Sequence, residues 1–236
     1  MDLSLVLSDL RELVECESPS SDLAAVVRSA DLVARIGAAR LGVAPEYLVV
    51  DGRTHLRWRL GTGPSRVLVL GHHDTVWPLG SLATYPWSAE GGVVRGPGCF
   101  DMKAGLVMAF HALADLDHHD GVTLLVTGDE EIGSPTSRAL IEEEAREASV
   151  ALVLEASADG GALKTERKGV SLYDVRITGR AAHAGLEPER GINATLELAH
   201  QALAVHALGA PELGTSVTPT SSRAGTTTNT LSLIHI

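Results

Sequence analysis

The chain has 236 residues, 44% hydrophobic and 21% charged, which is ordinary globular composition and enough for one large domain or for one domain and part of another. Its formal net charge of -11 argues against nucleic acid or an anionic membrane as the main partner. With two cysteines, no basic start typical of a signal peptide and no apolar run near the roughly 20 residues that span a bilayer, a cytoplasmic protein is expected.

Two helices are predicted at the start of the chain. Residues 3–16 carry their apolar side chains on one stripe, which is typical of an amphipathic helix. A second helix is predicted over 23–40, because Ser21 or Asp22 can cap its first turn and Gly42 lies just beyond its end. The stretch between the two helices is interpreted as a simple break.

Strand and helix patterns then alternate as far as residue 154. The runs at 67–70 and 122–126 are continuously apolar, as in strands buried on both faces, whereas alternating Leu56, Trp58 and Leu60 favour a strand with one face in water. The alternation predicts an α/β fold with a mainly parallel sheet covered by helices on both faces. The predicted strands lie at 46–51, 54–60, 66–71, 122–127 and 150–154, and the predicted helices at 102–116 and 135–148.

The pattern starts again after residue 167. We predict a strand over 169–179 and a helix over 191–208, followed by a Thr/Ser-rich stretch that would suit two strands and a turn. These elements indicate a first domain at 1–167 and the beginning of a second, smaller α+β domain at 168–230.

The last six residues, LSLIHI, do not continue this pattern. They match one reading frame of a transposase adaptor used in sequencing libraries. We hypothesise that Leu231–Ile236 are not native, and the alternative is an ordinary short apolar strand.

Polar clusters follow three of the apolar strands. His72 and Asp74 come after the first, Glu130 and Glu131 after the second, and Glu155 after the third. Because ligands of an open parallel sheet bind just past the carboxyl ends of its strands, we expect these side chains to converge.

A further acid, Asp101, follows a Gly-Pro-Gly turn that can present its carboxylate inward. Several acids and a histidine in one pocket suit a divalent cation such as zinc, manganese or cobalt. Two cations bridged by a carboxylate would neutralise the repulsion within this acidic group and leave one acid free to move protons.

These residues stand in motifs that resemble the M20 family of dinuclear zinc peptidases and deacylases, in particular its glutamate carboxypeptidase branch. The resemblance covers essentially all of the chain before the suspected tail. The matching motifs are GHHDTV (71–76), RGPGCFDMKAG (95–105), GDEEIGS (128–134), LVLEAS (152–157) and GRAAHAG (179–185).

The resemblance implies a zinc-exopeptidase-like fold whose catalytic domain holds two Zn²⁺ ions, with Co²⁺ or Mn²⁺ as alternatives. His72 and Glu155 would bind one ion, Glu131 the other, and Asp101 would bridge both. Asp74 would hydrogen-bond the imidazole of the histidine ligand and so fix its orientation.

The resemblance also implies that Glu130 is the general base, which takes a proton from the water between the ions and passes it to the leaving amine. The peptide bond after Asp101 is often cis in such proteins. The second domain would be an inserted dimerisation domain, in which His183 and Asn229 contact the substrate across a homodimer.

The expected function is therefore zinc-dependent hydrolysis of an amide bond in a small peptide or N-acyl amino acid with a free carboxylate. The family has a further zinc-binding histidine late in its chain, so we expect this sequence to be an incomplete and inactive part of the enzyme. A non-catalytic metal-binding or regulatory homologue is the alternative, although retention of both Glu130 and Glu131 counts against it. A barrel amidohydrolase would need a His-X-His strand end, which the sequence at His72 does not provide.

Overall fold

The computed structural model describes residues 2–225 and 230–231, together with the backbone of 234–235. Asn229 and part of the suspected tail at 231–236 lie outside the described residues. The chain divides into two compact units, Met1–Thr165 and Glu166–Ile236, which are described separately.

The first unit begins with the two predicted helices, α1 (Leu3–Glu15) and α2 (Leu23–Leu41). The side chain of Asp22 accepts a hydrogen bond from the N–H of Ala25, and Gly42 ends α2 in the left-handed conformation with φ of 72°. The capping residues that the sequence indicated for α2 are thus confirmed. Within the described part of the chain, none of the helices is long and apolar enough to cross a bilayer.

Five strands form the central sheet of this unit, and a two-stranded hairpin in the Pro/Gly-rich stretch lies outside it. The sheet has the strand order β1-β2-β6-β3-β7. The strands, in chain order, are β1 (Glu46–Val50), β2 (Arg53–Leu60), β3 (Val67–His72), the hairpin strands β4 (Ser88–Glu90) and β5 (Val93–Arg95), β6 (Val122–Thr127) and β7 (Val150–Val153).

The sheet is mainly parallel, as predicted. β3 pairs in parallel with both β6 and β7. β2 pairs antiparallel with both β6 and β1, so β1 points the same way as the three parallel strands and β2 alone of the five is reversed. The carboxyl ends of β3, β6 and β7 therefore meet at one edge of the sheet, where the polar clusters follow.

Helices pack against both faces of this sheet. Trp58 packs edge to face against Phe110 of α3 (Ala104–Ala114), with ring centroids 5.4 Å apart, on the face that α2 also covers. On the other face, α4 (Arg138–Glu147) brings Glu144 to Arg57, since successive strand residues point to opposite faces. The aliphatic core lies between α1, α2, α3 and the sheet.

The expectation that one face of β2 would lie in water holds only at Arg59, which is exposed. Thr54, His55 and Arg57 are buried along with the apolar residues of the strand. The guanidinium of Arg57 is paired with buried Glu144 and with the more exposed carboxylate of Glu46, so its charge is compensated where it is buried.

The described residues of the second unit form little regular structure. It contains β8 (Ile177–Thr178), α5 (Ala194–His206) capped by Asn193, and β9 (Ile234–His235), which pairs antiparallel with β8. The predicted strand at 169–179 is therefore wrong except for its last residues, and residues 216–225 contain no strand. Val170 and Leu172 are 78% and 94% exposed, and no strand among the described residues pairs with this segment to satisfy its backbone groups.

Candidate metal centre

His72 is the last residue of β3 and is buried, at 1% exposure. Its Nδ1 atom lies 2.9 Å from the main-chain carbonyl oxygen of Asp74. Because a carbonyl oxygen can only accept, Nδ1 must carry a proton, and Nε2 is the atom that can release its proton to bind a metal. The local turn after β3 thus fixes both the orientation and the tautomer of the imidazole.

Three carboxylates surround Nε2 of His72. Oδ1 of Asp101 lies 3.1 Å away, Oε1 of Glu155 3.4 Å and Oε2 of Glu130 3.8 Å. These acids follow different elements, so the sheet edge brings together residues up to 83 positions apart in the sequence, from 72 to 155. The predicted convergence is observed.

The charges at this edge act strongly on one another. Burial disfavours the charged imidazolium, but Asp74, Glu155 and Glu130 outweigh burial and raise the pKa of His72 to about 11. Burial and the neighbouring carboxylates raise the pKa of both Glu130 and Glu131, against the opposing effect of His72. A positive charge is therefore strongly favoured here.

Two sets of ligand atoms are close enough to hold a metal ion, each with its atoms within 4.8 Å of one another. One set is His72, Glu130 and Glu155, and the other is His72, Asp101 and Glu131. Imidazole nitrogen together with carboxylate oxygens suits Zn²⁺, Mn²⁺ or Co²⁺, so the donor set fits a divalent cation. Glu131 and Glu155 fall in different sets, His72 belongs to both, and Asp101 belongs only to the set of Glu131.

The carboxylate of Asp74 is fully buried next to this site. Its Oδ1 atom lies 3.5 Å from Nδ1 of His72, farther than the main-chain carbonyl of the same residue, so the direct hydrogen bond to the imidazole comes from the backbone. The carboxylate instead accepts hydrogen bonds from the main-chain N–H groups of Glu130 and Glu131, at 3.2 and 3.3 Å. Asp74 therefore ties the loop after β6 to the loop after β3.

The first acid of the GDEEIGS motif has a different place from the two that follow it. Asp129 is fully buried and accepts hydrogen bonds from the hydroxyl and main-chain N–H groups of Thr136 and Ser137, at 2.6–3.2 Å. Burial alone would raise the pKa of Asp129, but these hydrogen bonds lower it. Asp129 thus anchors the loop from within, while Glu130 and Glu131 face the site.

Asp101 is held by a tight segment at the start of α3. Its peptide bond to Met102 is cis, as the sequence resemblance implied, and the sulfur of Met102 accepts a hydrogen bond from the N–H of His72 at 3.1 Å. Gly98 precedes this segment at φ of 66°, and a Cβ atom there would lie 2.5 Å from Cγ2 of Thr75. Glycine is required for the turn that brings Asp101 to the site.

Glu155 follows β7 at the edge of the sheet. The N–H of Leu154 donates to the carbonyl of Leu70, which continues the parallel pairing one residue beyond β7. A Cβ atom on Gly105 of α3 would lie 2.1 Å from the carbonyl oxygen of Leu154, so only glycine permits this close approach. This contact between α3 and Leu154 fixes the position of the backbone from which Glu155 follows.

The remaining predicted site residues do not lie in the first unit. His183 belongs to the second unit, where its Nδ1 accepts hydrogen bonds from the N–H groups of Gly185 and Leu186, both at 3.1 Å. Asn229 is outside the described residues. Their predicted contacts with substrate stay predictions.

Sequence reasoning missed two buried residues that hold the site. Lys103 donates to the carbonyl oxygens of Leu13 and Cys16 at the end of α1, and the hydroxyl of Ser20 donates to Asp74. A lysine beside an almost wholly apolar helix was a usable signal, because an isolated charge there needs polar partners. Ser20 gave no such signal, because its stretch has the composition of an ordinary turn.

Comparisons with known proteins agree with these observations. Residues 68–232 match the family model described as peptidase family M20/M25/M40. Carboxypeptidase G2 of Pseudomonas sp. (strain RS-16) is 39% identical over 143 residues, covering 58% of this chain and 34% of the relative. Acetylornithine deacetylase of Proteus mirabilis (strain HI4320) is 31% identical over 160 residues, covering 64% of this chain and 40% of the relative. The chain thus spans well under half the length of these two relatives.

The fold of the chain is also similar to that of solved structures. A tripeptidase from Staphylococcus aureus subsp. aureus Mu50 superposes with a TM-score of 0.69 at 18% identity, over 100% of this chain and 65% of that one. At this level of identity the likeness concerns the fold alone. The family model covers well over half of the residues, from 68 to 232 of 236, and so the chain belongs to peptidase family M20/M25/M40.

Proposed function

We propose that the whole protein is a metal-dependent hydrolase that cleaves an amide bond in a small substrate with a free carboxylate. The observation that carries this proposal is the meeting of His72 with Asp101, Glu130, Glu131 and Glu155 at one edge of the sheet. The names of the two curated relatives, a carboxypeptidase and a deacetylase, both denote hydrolysis of an amide bond. Peptide and N-acyl amino acid substrates are therefore both candidates.

The metal ligands that we propose are His72, Asp101, Glu131 and Glu155, for two zinc ions with cobalt or manganese as alternatives. Divalent ions held there would polarise the scissile carbonyl and make a water molecule more acidic. His72 contributes a neutral nitrogen once Nε2 has lost its proton. Oδ1 of Asp101 lies 3.1 Å from that nitrogen, which belongs to both sets of ligand atoms, and this closeness supports Asp101 as a ligand of a shared site.

Glu130 is the residue that we propose as general base. Its side chain is half-exposed and lies 3.8 Å from the imidazole, so it can reach both the site and a substrate from solvent. A carboxylate in this position can take a proton from a water molecule and pass it to a leaving amine. Glu130 also lies within one ligand set, close to His72 and Glu155, which supports a base beside a metal-bound water molecule.

The homodimer, the cytoplasmic location and the substrate contacts of His183 and Asn229 are further proposals that rest on the family resemblance. Light scattering of the whole protein tests the dimer: a monomeric mass would contradict it. The domain limits, a catalytic part at 1–167, the start of an inserted domain at 168–230 and a non-native tail at 231–236, are proposals of the same standing. Resequencing the genomic locus without the adaptor tests the tail.

The proposed function is tested with the whole protein and two variants. We expect the unsubstituted protein to retain zinc and to release amino acid from an N-acyl amino acid or from a dipeptide library. Glu130→Gln should keep the metal and lose turnover by at least about 100-fold, the contribution of a general base, whereas Glu131→Ala should lose metal. Normal turnover of Glu130→Gln would overturn the role of Glu130, and a protein that binds none of zinc, cobalt and manganese would overturn the proposal as a whole.

A non-catalytic metal-binding homologue is the second candidate. It predicts zinc retention in both the unsubstituted protein and Glu130→Gln, with no turnover of any substrate in either. The same assay therefore separates the two candidates.

A further inference from the structure

We propose that Ser20 is a positioning residue for the reaction, acting through Asp74 on the end of β3 and the loop after β6, which carry two of the proposed ligands, His72 and Glu131. This inference rests on the proposed function, since it concerns the same site. It assigns a role to the stretch between α1 and α2, which sequence reasoning treated as a simple break.

The contact that carries the inference is short and buried. Oγ of Ser20 donates a 2.6 Å hydrogen bond to Oδ2 of Asp74, and the two residues are 4% and 0% exposed. The main-chain oxygen of Thr75 lies farther from the same hydroxyl, at 3.3 Å, so the single hydroxyl proton is directed to the carboxylate. A hydroxyl donating to a buried carboxylate makes a charge-assisted bond, which is stronger than a neutral one.

Ser20 itself is held firmly in place. Its N–H donates to the carbonyl of Thr75 at 3.1 Å, and its carbonyl accepts from the guanidinium of Arg53 at 2.7 Å. The N–H of Thr75 in turn donates to the carbonyl of Ser18 at 2.8 Å. The stretch around Ser20 therefore runs along the loop after β3, with backbone and side-chain contacts that leave its hydroxyl little freedom to turn away.

Asp74 links this hydroxyl to the site. One carboxylate accepts from Ser20 and from the main-chain N–H groups of Glu130 and Glu131, while the main-chain carbonyl of the same residue accepts from Nδ1 of His72. Without the hydroxyl, the carboxylate could rotate towards other donors and release the 130–131 backbone. Ser20 thus acts at a distance on where the proposed base and one proposed ligand point.

Ser18 offers a matched control in the same stretch. Its hydroxyl is also fully buried and donates a 2.7 Å hydrogen bond, but to the main-chain carbonyl of His73 rather than to a carboxylate. Ser18→Ala and Ser20→Ala each remove one buried hydroxyl from this stretch. Only the second removes a contact to Asp74, so a difference between the two variants reports that contact and not general loosening of the loop.

The experiment uses the whole protein, with zinc alone as the binding probe and an accepted substrate for kinetics. We expect Ser20→Ala to weaken zinc binding about 10-fold, at the lower end of the effect of residues that orient ligands, and to lower kcat with little change in KM. In urea denaturation, Ser18→Ala should lose about as much stability as Ser20→Ala. It should nevertheless bind zinc within about twofold of the unsubstituted protein. Ser20→Thr, which keeps a hydroxyl, should bind zinc within about threefold.

A double-substitution cycle tests whether Ser20 acts through Asp74. If it does, Ser20→Ala should have little further effect on zinc affinity in an Asp74→Asn background. Additive effects, or a Ser20→Ala protein that matches Ser18→Ala in zinc affinity and kcat, would overturn the inference. A folded Ser20→Thr that binds zinc as weakly as Ser20→Ala would do the same.

The result also separates this inference from the proposed function. An unsubstituted protein that neither binds zinc nor hydrolyses an amide contradicts the proposed function. An unsubstituted protein that does both, while the two serine variants behave alike, contradicts the role of Ser20 alone.

Discussion

Oγ of Ser137 donates a 2.6 Å hydrogen bond to Oδ1 of Asp129, and both residues are fully buried. This contact divides the three consecutive acids of the chain into one that holds the loop and two that face the candidate metal centre. Three acids in a row do not therefore mean three metal ligands. The repulsion among the three acids is reduced because the carboxylate of Asp129 accepts hydrogen bonds from several surrounding donors.

We expect Asp129→Asn to lower the free energy of unfolding by about 2 kcal/mol, because hydrogen bonds to a buried charged group are weakened or lost. It should nevertheless keep the same number of bound zinc ions, since both carboxylate oxygens of Asp129 are already engaged by donors of Thr136 and Ser137. Urea denaturation measures the first effect and metal analysis the second. Loss of a bound ion would show that Asp129 is a ligand after all.

The close packing of Gly105 against the end of β7 should affect the position of Glu155. In Gly105→Ala the new Cβ would lie 2.1 Å from the carbonyl oxygen of Leu154, so either α3 or the end of β7 must move. We expect a loss of about 1–3 kcal/mol in stability, as for other overpacked sites, together with weaker zinc binding.

The matched control for this variant is Gly169→Ala, since no heavy atom beyond the neighbouring residues of the chain lies within 4 Å of a Cβ built at that glycine. It should change neither stability nor zinc binding measurably. Equal effects of the two substitutions would contradict the close-approach explanation.

The interactions of the Asp9 carboxylate should make the stability of the protein depend on pH. Oδ2 of Asp9 lies 2.7 Å from Nε of Arg40 and 2.7 Å from Nε2 of His111, so this buried carboxylate joins α1 to α2 and α3. Burial raises the pKa of Asp9, but the hydrogen bonds from Arg40 and His111 outweigh burial and bring it below the ordinary 3.8.

Because the folded-state pKa is lowered, the stabilisation is complete above pH 3.8 and is lost as the pH falls through the lower folded-state value. We expect Asp9→Asn to cost about 2 kcal/mol at pH 7, and the difference from the unsubstituted protein to shrink below about pH 4. Urea titrations at a series of pH values measure it. A difference that stays constant down to pH 2 would contradict the lowered pKa.

Zinc itself should stabilise the folded chain. At a zinc concentration 100 times the dissociation constant, binding to the folded state alone adds about 2.7 kcal/mol to the free energy of unfolding, and a chelator should remove this gain. Glu131→Ala should reduce the gain. Glu142→Ala is the control, because that acid is exposed on α4 and pairs with Arg138. A gain that is the same in both variants would contradict Glu131 as a ligand.

The local elements were readable from the sequence because short-range chemistry fixes them. Asp22 and Gly42 are a cap and a left-handed terminator that act within one turn of α2, and the helix ends where they indicate. The continuously apolar run of β3 likewise identified a strand of the parallel part of the sheet. The strand predicted at 169–179 is wrong for most of its length because a strand forms only when a second strand pairs with it. The local sequence pattern does not show whether such a partner is present.

The sequence by itself determined which residues stand at the ends of the strands, and the family motifs named His72, Asp101, Glu131 and Glu155 as candidates. Only the tertiary structure decided that Asp129 turns away from them and that Ser20 reaches Asp74 from a stretch 54 positions away. The physical reason is that a side chain's hydrogen-bond partners depend on which loops the packed sheet brings together. Residue type and spacing limit the choice of partners, and the fold selects among them.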